Sequence, residues 1–294
     1  MAFEVASLKP SPSDAWRGPN FPLDEGDAYV ATRGRFSAVF PLSVYIQFAY
    51  KLWPSPEQLR SMLAHLPKWV ETDNYDIEAR AVGNPTKDQM RLMMQSLLAD
   101  RFKLTVHFET REVPVLALTL VRPGKLGPKL RPHADGPACG PPADDIRAAF
   151  ANGDPNAFPR VCDLYSMQPM PGGRQLAGSR NTTMELLAAY LPSRGNLGRP
   201  VADRTGLSGR FDFTLEWTSE PDSSPDRGVR IMKKGGSPQK VGGASGSNEV
   251  APSPDTSGST LLEALREQLG LKLVSTKASI QTLVIDHVER PSEN

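Results

Sequence analysis

The chain resembles itself in three places that follow one another in the same order. Residues 35–50 resemble residues 175–190, and the alternating segment 75–79 resembles 211–215. The longest match aligns residues 94–118 with residues 261–285 without a gap. Self-similarity of this kind indicates a duplicated structural unit. We therefore predict two tandem copies of one ancestral unit; the alternative is two unrelated domains whose amphipathic patterns agree.

Each copy is predicted to contain a strand, a helix, a strand, a helix and two further strands. Apolar and polar residues alternate over 75–79 and 102–108, as half-buried strands require. The second helix of copy one begins at Thr86 and Asp88 and has one apolar face. A turn is expected before the last strands, 115–121 and 283–288. Their nearly continuous apolar character predicts central strands, not edge strands, in a sheet that is covered on both faces. The predicted class is α+β, with helices packed on small mixed or antiparallel sheets.

Composition sets the domain limits. The chain has 294 residues, of which 39% are hydrophobic, enough for real cores. Its 24 glycines and 28 prolines also predict long irregular segments. We predict a first repeat with an N-terminal strand over 1–123, a Pro/Gly-rich connector over 124–171 and a second repeat over 172–294. The segment 219–259 has no aromatic residue and is predicted to be a flexible insertion.

The two cysteines, Cys139 and Cys162, both lie in the connector. We predict that they form a disulfide; two reduced thiols are the alternative. A zinc site is disfavoured because His133 is the one histidine nearby and no paired ligand spacing occurs. No basic and apolar leader precedes the strand-like start at Phe3. Because disulfides persist in oxidising compartments, we expect a secreted or periplasmic protein without its export signal, with a cytoplasmic protein as the alternative.

Charge and motifs exclude several function classes. Lys plus Arg number 34 against 33 Asp plus Glu, a balance that disfavours a protein built to coat nucleic acid, and we expect no specific nucleic-acid partner. No apolar run is long enough to span a bilayer. Common catalytic and cofactor motifs are absent, so we predict no cofactor and no metal. Ser237–Lys240 fits the S-x-x-K pattern but lies in the Gly/Ser-rich insertion, where the lysine lacks the desolvated position it needs.

A polar row on one strand supplies the strongest candidate site. Alternation places a set of charged and titratable residues opposite the apolar face formed by Phe102, Leu104, Val106 and Phe108. Such a row can bind an anion or a polar partner; the alternative is a solvated face with cross-strand ion pairs. The predicted binding residues are Lys103, His107, Glu109 and Arg111.

Three further positions are candidates. His287 alternates with Leu283 and Ile285 and is predicted to point inward from the final strand, flanked by Asp286. Asp203 and Arg204 have the polarity of a turn whose aspartate caps backbone N–H groups, or they rim a ligand groove. His65 is predicted to be either a packing residue or a residue at the C-terminal end of a helix.

Four segments resemble a known family. Phe3–Pro10, Leu98–Leu104, Asp203–Leu207 and Val284–Asn294 are similar to the soil-associated protein family that is abundant in Acidobacteria. That family is a domain of unknown function whose members generally carry export signals. Similar modules lie beyond the membrane-embedded peptidase of some sensor proteins of the β-lactam-responsive type. The resemblance implies an exported protein and supplies no activity, substrate or catalytic residue.

The function predicted from these features is binding or interaction outside the cytoplasm, with a small molecule, polymer or protein as the partner. The default site is a groove where the two copies meet. One alternative is a hydrolase that uses His107 with Glu109, or His287 with Asp286, next to a Ser or Thr hydroxyl in a concave site. The other alternative is a sensor-type ectodomain that binds cell-wall fragments or β-lactams.

Overall fold

A computed structural model describes residues 1–12, 17–24, 26, 29, 32–136, 139, 158, 159, 161–218 and 259–291. Ser237–Lys240 and residues 219–258 of the predicted insertion lie outside the described residues. The described elements confirm the α+β class. Within them, no helix combines the length and the apolar character needed to cross a bilayer.

The first half of the chain alternates short strands and helices. Its elements are β1 (Val5–Ser11), β2 (Arg35–Pro41), α1 (Leu42–Ala49), α2 (Pro56–Leu63), α3 (Trp69–Thr72), β3 (Asn74–Arg80) and α4 (Lys87–Phe102). Strands β1, β3 and β2 form an antiparallel sheet in that order. Helix α4 begins where the sequence predicts, because Thr86 and Gln89 form a reciprocal capping box.

The rest of the chain contributes two more sheets. Its elements are β4 (Thr105–Leu120), β5 (Leu130–Pro132), β6 (Ser166–Met170), β7 (Arg174–Thr182), α5 (Met184–Arg194), β8 (Val201–Asp203), β9 (Phe211–Thr218), α6 (Leu261–Ala264) and β10 (Leu271–His287). A π-helical turn, Leu265–Leu269, continues α6. Strands β5, β9, β7 and β6 form an antiparallel sheet. In the third sheet, β4 lies between β10, which is antiparallel to it, and the short parallel strand β8.

The predicted turn between the last two strands of each copy was wrong. Strand β4 runs without interruption for 16 residues and β10 for 17. Their polar middle sections pair with each other, so the hydrogen-bonded ladder between the two strands continues without a turn. The prediction of central strands holds for β4, whereas β10 is an edge strand of its sheet.

The end of α4 also corrects the predicted polar row. Lys103 has a left-handed backbone conformation, with φ at 51°, and ends the helix as its C-cap. Its Nζ donates a hydrogen bond to the carbonyl oxygen of Asp100 at 2.9 Å. The strand begins only at Thr105, so Lys103 does not share the face of His107.

The two ends of each long strand, β4 and β10, pack in different hydrophobic cores of the described chain. Leu104 and Val106 belong to the first core, whereas Leu118 at the other end of β4 is buried in the second. Conversely, Leu271 lies in the second core and Leu283 in the first. The bounds 1–123 and 172–294 stay predictions, but packing at the ends of these strands crosses them.

Near the middle of the β4–β10 pairing, the residues that face each other also correspond to each other in the long sequence match. Glu112 faces Ser279, and these two residues correspond in the alignment of 94–118 with 261–285. Each strand therefore begins in its own core and ends in the other core. Duplication of the chain stays a prediction with which this register agrees.

A buried polar cluster joins the two halves at another place. Asp24 Oδ1 accepts a hydrogen bond from Lys87 Nζ at 2.6 Å, and Asp24 Oδ2 accepts one from the Tyr190 hydroxyl at 2.7 Å. Lys87 begins α4 and Tyr190 lies in α5. The ring of Trp53 packs edge-on against Tyr190, with centroids 5.4 Å apart. The carboxylate of Asp24 thus links helices from both halves.

Candidate functional site

The polar row on β4 consists of His107, Glu109 and Arg111, without Lys103. His107 Nε2 lies 3.1 Å from Glu109 Oε1, and Glu109 Oε2 accepts a hydrogen bond from Arg111 Nε at 2.7 Å. The structure also brings in Asp286, whose Oδ1 lies 2.9 Å from His107 Nδ1. Sequence reasoning assigned Asp286 to His287 instead, because it could not know which residues face each other across the two strands.

His287 faces solvent, and the prediction that it points inward was wrong. Its side chain is 53% exposed, and its Nε2 lies 2.8 Å from Glu289 Oε1. A β-bulge explains the change of side: Ile285 pairs with Val106, His287 pairs with Thr105, and the extra residue between them is Asp286. One extra residue reverses the alternation of side chains beyond it.

The contacts of His107 favour its protonated form. Hydrogen bonds to Asp286 and then to Glu109 raise the pKa of the imidazole above its usual value. The hydrogen bond with His107, followed by that with Arg111, lowers the pKa of Glu109. A protonated histidine held between two carboxylates is a poor general base. The hydrogen-bond partners described for His107 and His287 are carboxylates, not the Ser or Thr hydroxyl that the hydrolase hypothesis requires.

A histidine titration tests this cluster. We expect NMR to give a pKa for His107 above the ordinary value of about 6.5, and Asp286→Asn to lower it. Because the folded-state pKa is raised, the stability that the cluster contributes is present below the unfolded pKa and is lost as the pH rises through the folded pKa. The control Glu289→Gln removes a carboxylate from His287 and should leave the His107 titration unchanged. An unshifted His107 in the wild type would contradict the network.

Asp203 and Arg204 have separate roles. Asp203 Oδ1 accepts the backbone N–H of Thr205 at 2.8 Å, which is the turn cap that the sequence predicts. The backbone N–H of Arg204 bonds to the carbonyl oxygen of Leu118 at 2.9 Å. That bond fixes the end of β8 beside β4 and places the Arg204 side chain at the rim of a groove.

This groove lies on one face of the β10–β4–β8 sheet and has a volume of about 510 Å³. Most of the lining residues on β4 and β10 alternate along their strand, as expected for one face of a sheet. Val115 and Ala117 of β4 and Ala202 of β8 form an apolar floor. Arg204, Lys272 and Lys277 add cations. Strands from both predicted copies line this groove.

The groove is positively charged. None of the residues lining it is acidic. Lys277 Nζ forms an ion pair with Glu112 Oε1 at 3.2 Å. Among the residues that the structure describes, no carboxylate pairs with the Arg204 or Lys272 side chain. Two cations are thus available to a ligand. Sequence reasoning found Arg204 but missed Lys272, because the alternation in β10 does not reveal that β8 lies across β4 from it.

A second groove of about 610 Å³ lies over the β1–β3–β2 sheet. Arg33, Arg35 and Arg80 line it, but so does Glu78, whose Oε1 bonds to Arg17 at 2.9 Å. Opposite charges therefore meet in this groove, whereas the first one presents a single sign.

The cysteine prediction is confirmed. Cys139 and Cys162 form a disulfide, with their Cα atoms 5.9 Å apart. Within the described ranges, no group of three or more His, Cys, Asp or Glu residues is placed to hold a metal ion.

Comparison with known proteins gives a family and no activity. The family described as "Protein of unknown function (DUF3738)" matches residues 43–288, most of the chain. The chain belongs to this DUF3738 family. No curated protein and no solved structure matches it. The DUF3738 match covers the groove residues on β4, β8 and β10, so the groove is part of the family domain.

Proposed function

We propose that this DUF3738 protein is an extracytoplasmic binding module. Its groove over the β10–β4–β8 sheet takes a small anionic ligand that also has an apolar part. One observation carries the proposal: Arg204 and Lys272 stand over an apolar floor in a groove without an acidic lining residue. The volume of about 510 Å³ falls within the usual ~300–1,000 Å³ of small-molecule sites.

Neither the cations of the groove nor its apolar surface alone provides enough binding free energy for a ligand. A contact between exposed charges contributes only about 0.2–1 kcal/mol. Apolar burial adds about 25 cal/mol per Å², and the 44%-exposed Val274 in the groove offers such surface. A ligand that joins a carboxylate, sulfonate or phosphate to a short hydrocarbon or aromatic group therefore fits better than a bare anion.

Location outside the cytoplasm is supported by two observations. The disulfide between Cys139 and Cys162 is typical of oxidising compartments. The resemblance to the Acidobacteria family, whose members generally carry export signals, points the same way. The similar modules in peptidase-type sensors make ligand detection one use for such a groove.

Titration with octanoate tests the site. Octanoate should shift the backbone amide NMR signals of residues 115–120, 202–204 and 272–277 in a saturable manner. The variant Arg204→Gln/Lys272→Gln should raise the Kd by about two- to thirtyfold, since two charge contacts of about 0.2–1 kcal/mol each are lost. The matched control Arg60→Gln/Lys125→Gln removes the same charges from exposed positions outside the groove and should leave the Kd unchanged.

Octyltrimethylammonium provides the ligand control, because it has the same tail and the opposite charge. It should not bind in the groove. Equal binding of both compounds, signal shifts confined to other surfaces, or an unchanged Kd in the Arg204/Lys272 variant would each overturn the proposal.

A further inference from the structure

The disulfide stands beside a histidine that the proposed binding site does not use. His133 Nε2 lies 3.6 Å from Cys139 Sγ. The other ring nitrogen, Nδ1, lies 2.6 Å from Asp212 Oδ1. The chain thus brings Cys139, His133 and Asp212 into one line of contacts from sulfur to imidazole to carboxylate, although Asp212 is distant in sequence.

The carboxylate of Asp212 is built into the fold. Its side chain is only 6% exposed, and Oδ1 also accepts the backbone N–H of Asn181 at 3.0 Å. Within the described residues, Oδ2 has no hydrogen-bond partner, and it forms an ion pair with Arg131 at 3.6 Å. Gly136 allows this close packing, because a Cβ atom there would lie 2.4 Å from Oδ2.

This arrangement determines which nitrogen faces the sulfur. A carboxylate at Nδ1 assigns a proton to that nitrogen and keeps the ring in one orientation. Nε2 is then left to exchange a proton with Cys139. Sulfur, imidazole and carboxylate in this order form the set of groups that activates a cysteine nucleophile. Both cysteines are partly exposed.

We propose that Cys139–Cys162 is a redox-active disulfide and that Cys139 is its nucleophilic sulfur, with His133 as proton donor and acceptor and Asp212 as positioning residue. A thiolate of a small dithiol attacks Cys162 Sγ, and the electron pair of the S–S bond leaves on Cys139 Sγ. The Nε2–H of protonated His133 stabilises this thiolate. The second thiol of the reductant then gives up its proton and attacks the reductant sulfur of the mixed disulfide, which releases a cyclic disulfide and the Cys162 thiolate, and this thiolate takes up a proton. The dithiol loses two electrons and the protein disulfide gains them.

The direction of attack follows from the contacts. The sulfur with the lower thiol pKa leaves faster in thiol–disulfide exchange. The imidazole contacts Cys139, and a neighbouring imidazolium is one of the features that lower a thiol pKa. The same contact makes Cys139 the attacking sulfur when the reduced protein acts on another disulfide.

Alkylation of the reduced full-length protein tests the proposal. After reduction and removal of the reductant, a short pulse of iodoacetamide at pH 7 is followed by mass spectrometry of each cysteine. An ordinary thiol is only a few per cent thiolate at this pH, so we expect Cys139 to react about tenfold faster than Cys162. His133→Gln should abolish this ratio and slow reduction of the native disulfide by dithiothreitol. The control His65→Gln changes an exposed histidine elsewhere and should leave both rates unchanged.

Asp212→Asn separates positioning from folding. It should lower the ratio of Cys139 to Cys162 alkylation while the melting temperature of the oxidised protein is recorded beside it. Loss of the fold would expose both cysteines equally and would slow the alkylation of neither. Loss of positioning alone should slow the alkylation of Cys139. Equal alkylation of the two cysteines in the folded wild type would overturn the proposal without any variant, as would unchanged rates in a folded His133→Gln protein.

Discussion

Replacing Asp24 by alanine should lower the free energy of unfolding by about 3–5 kcal/mol, the usual cost of removing one partner of a buried ion pair. The side chains of Asp24 and Lys87 are only 10% and 5% exposed. The substitution removes the carboxylate from the Lys87 ammonium and from the Tyr190 hydroxyl together. Urea unfolding followed by circular dichroism measures the change.

Asp76→Ala is the matched control, since Asp76 also pairs with a cation but in an exposed setting. The side chains of Asp76 and Arg17 are 35% and 38% exposed. Exposed pairs contribute about 0–1 kcal/mol, so this variant should remain close to the wild type. Equal losses in the two variants would contradict a special role for the buried cluster between the halves.

Leu283→Ala should destabilise the protein by about 2–5 kcal/mol, because it leaves a cavity in a packed core. Leu283 is 3% exposed and belongs to the first core, although it comes from the last strand of the chain. We therefore expect faster amide hydrogen exchange in α4, whose residues Met90 and Leu98 share that core.

Leu262→Ala makes the same chemical change at a position that is 56% exposed. Its effect should stay within about 0.5 kcal/mol, as is usual for surface substitutions. Leu283→Ala could instead leave amide hydrogen exchange in α4 unchanged and affect only the second half of the chain. That result would refute the packing of the end of β10 in the first core.

Local patterns predicted much of the fold. The capping box at Thr86 and the apolar face of α4 are signals within a few residues of each other, and the structure contains both. The turn capped by Asp203 is equally local. Two predictions that rested on strand alternation failed. Lys103 has a left-handed backbone conformation and ends a helix, and the β-bulge at Asp286 turns His287 outward.

The candidate sites could be predicted only in part. The row His107–Glu109–Arg111 lies on one strand and follows from alternation, but its partner Asp286 lies on another strand. The groove required Arg204 and Lys272 to meet across β4. The contact of His133 with Asp212 joins two segments that no period or motif connects.

The sequence by itself determined the α+β class, the helix starts, the alternation of the strands and the pairing of its two cysteines. These depend on short-range backbone preferences, on side-chain periodicity and on the small number of possible partners. Only the tertiary structure decided that β4 and β10 are continuous, which strands lie side by side and which distant carboxylate each histidine meets. Those choices depend on which arrangement buries the apolar side chains in the two cores and also lets neighbouring strands form backbone hydrogen bonds with each other. Both requirements involve residues that are far apart in the chain.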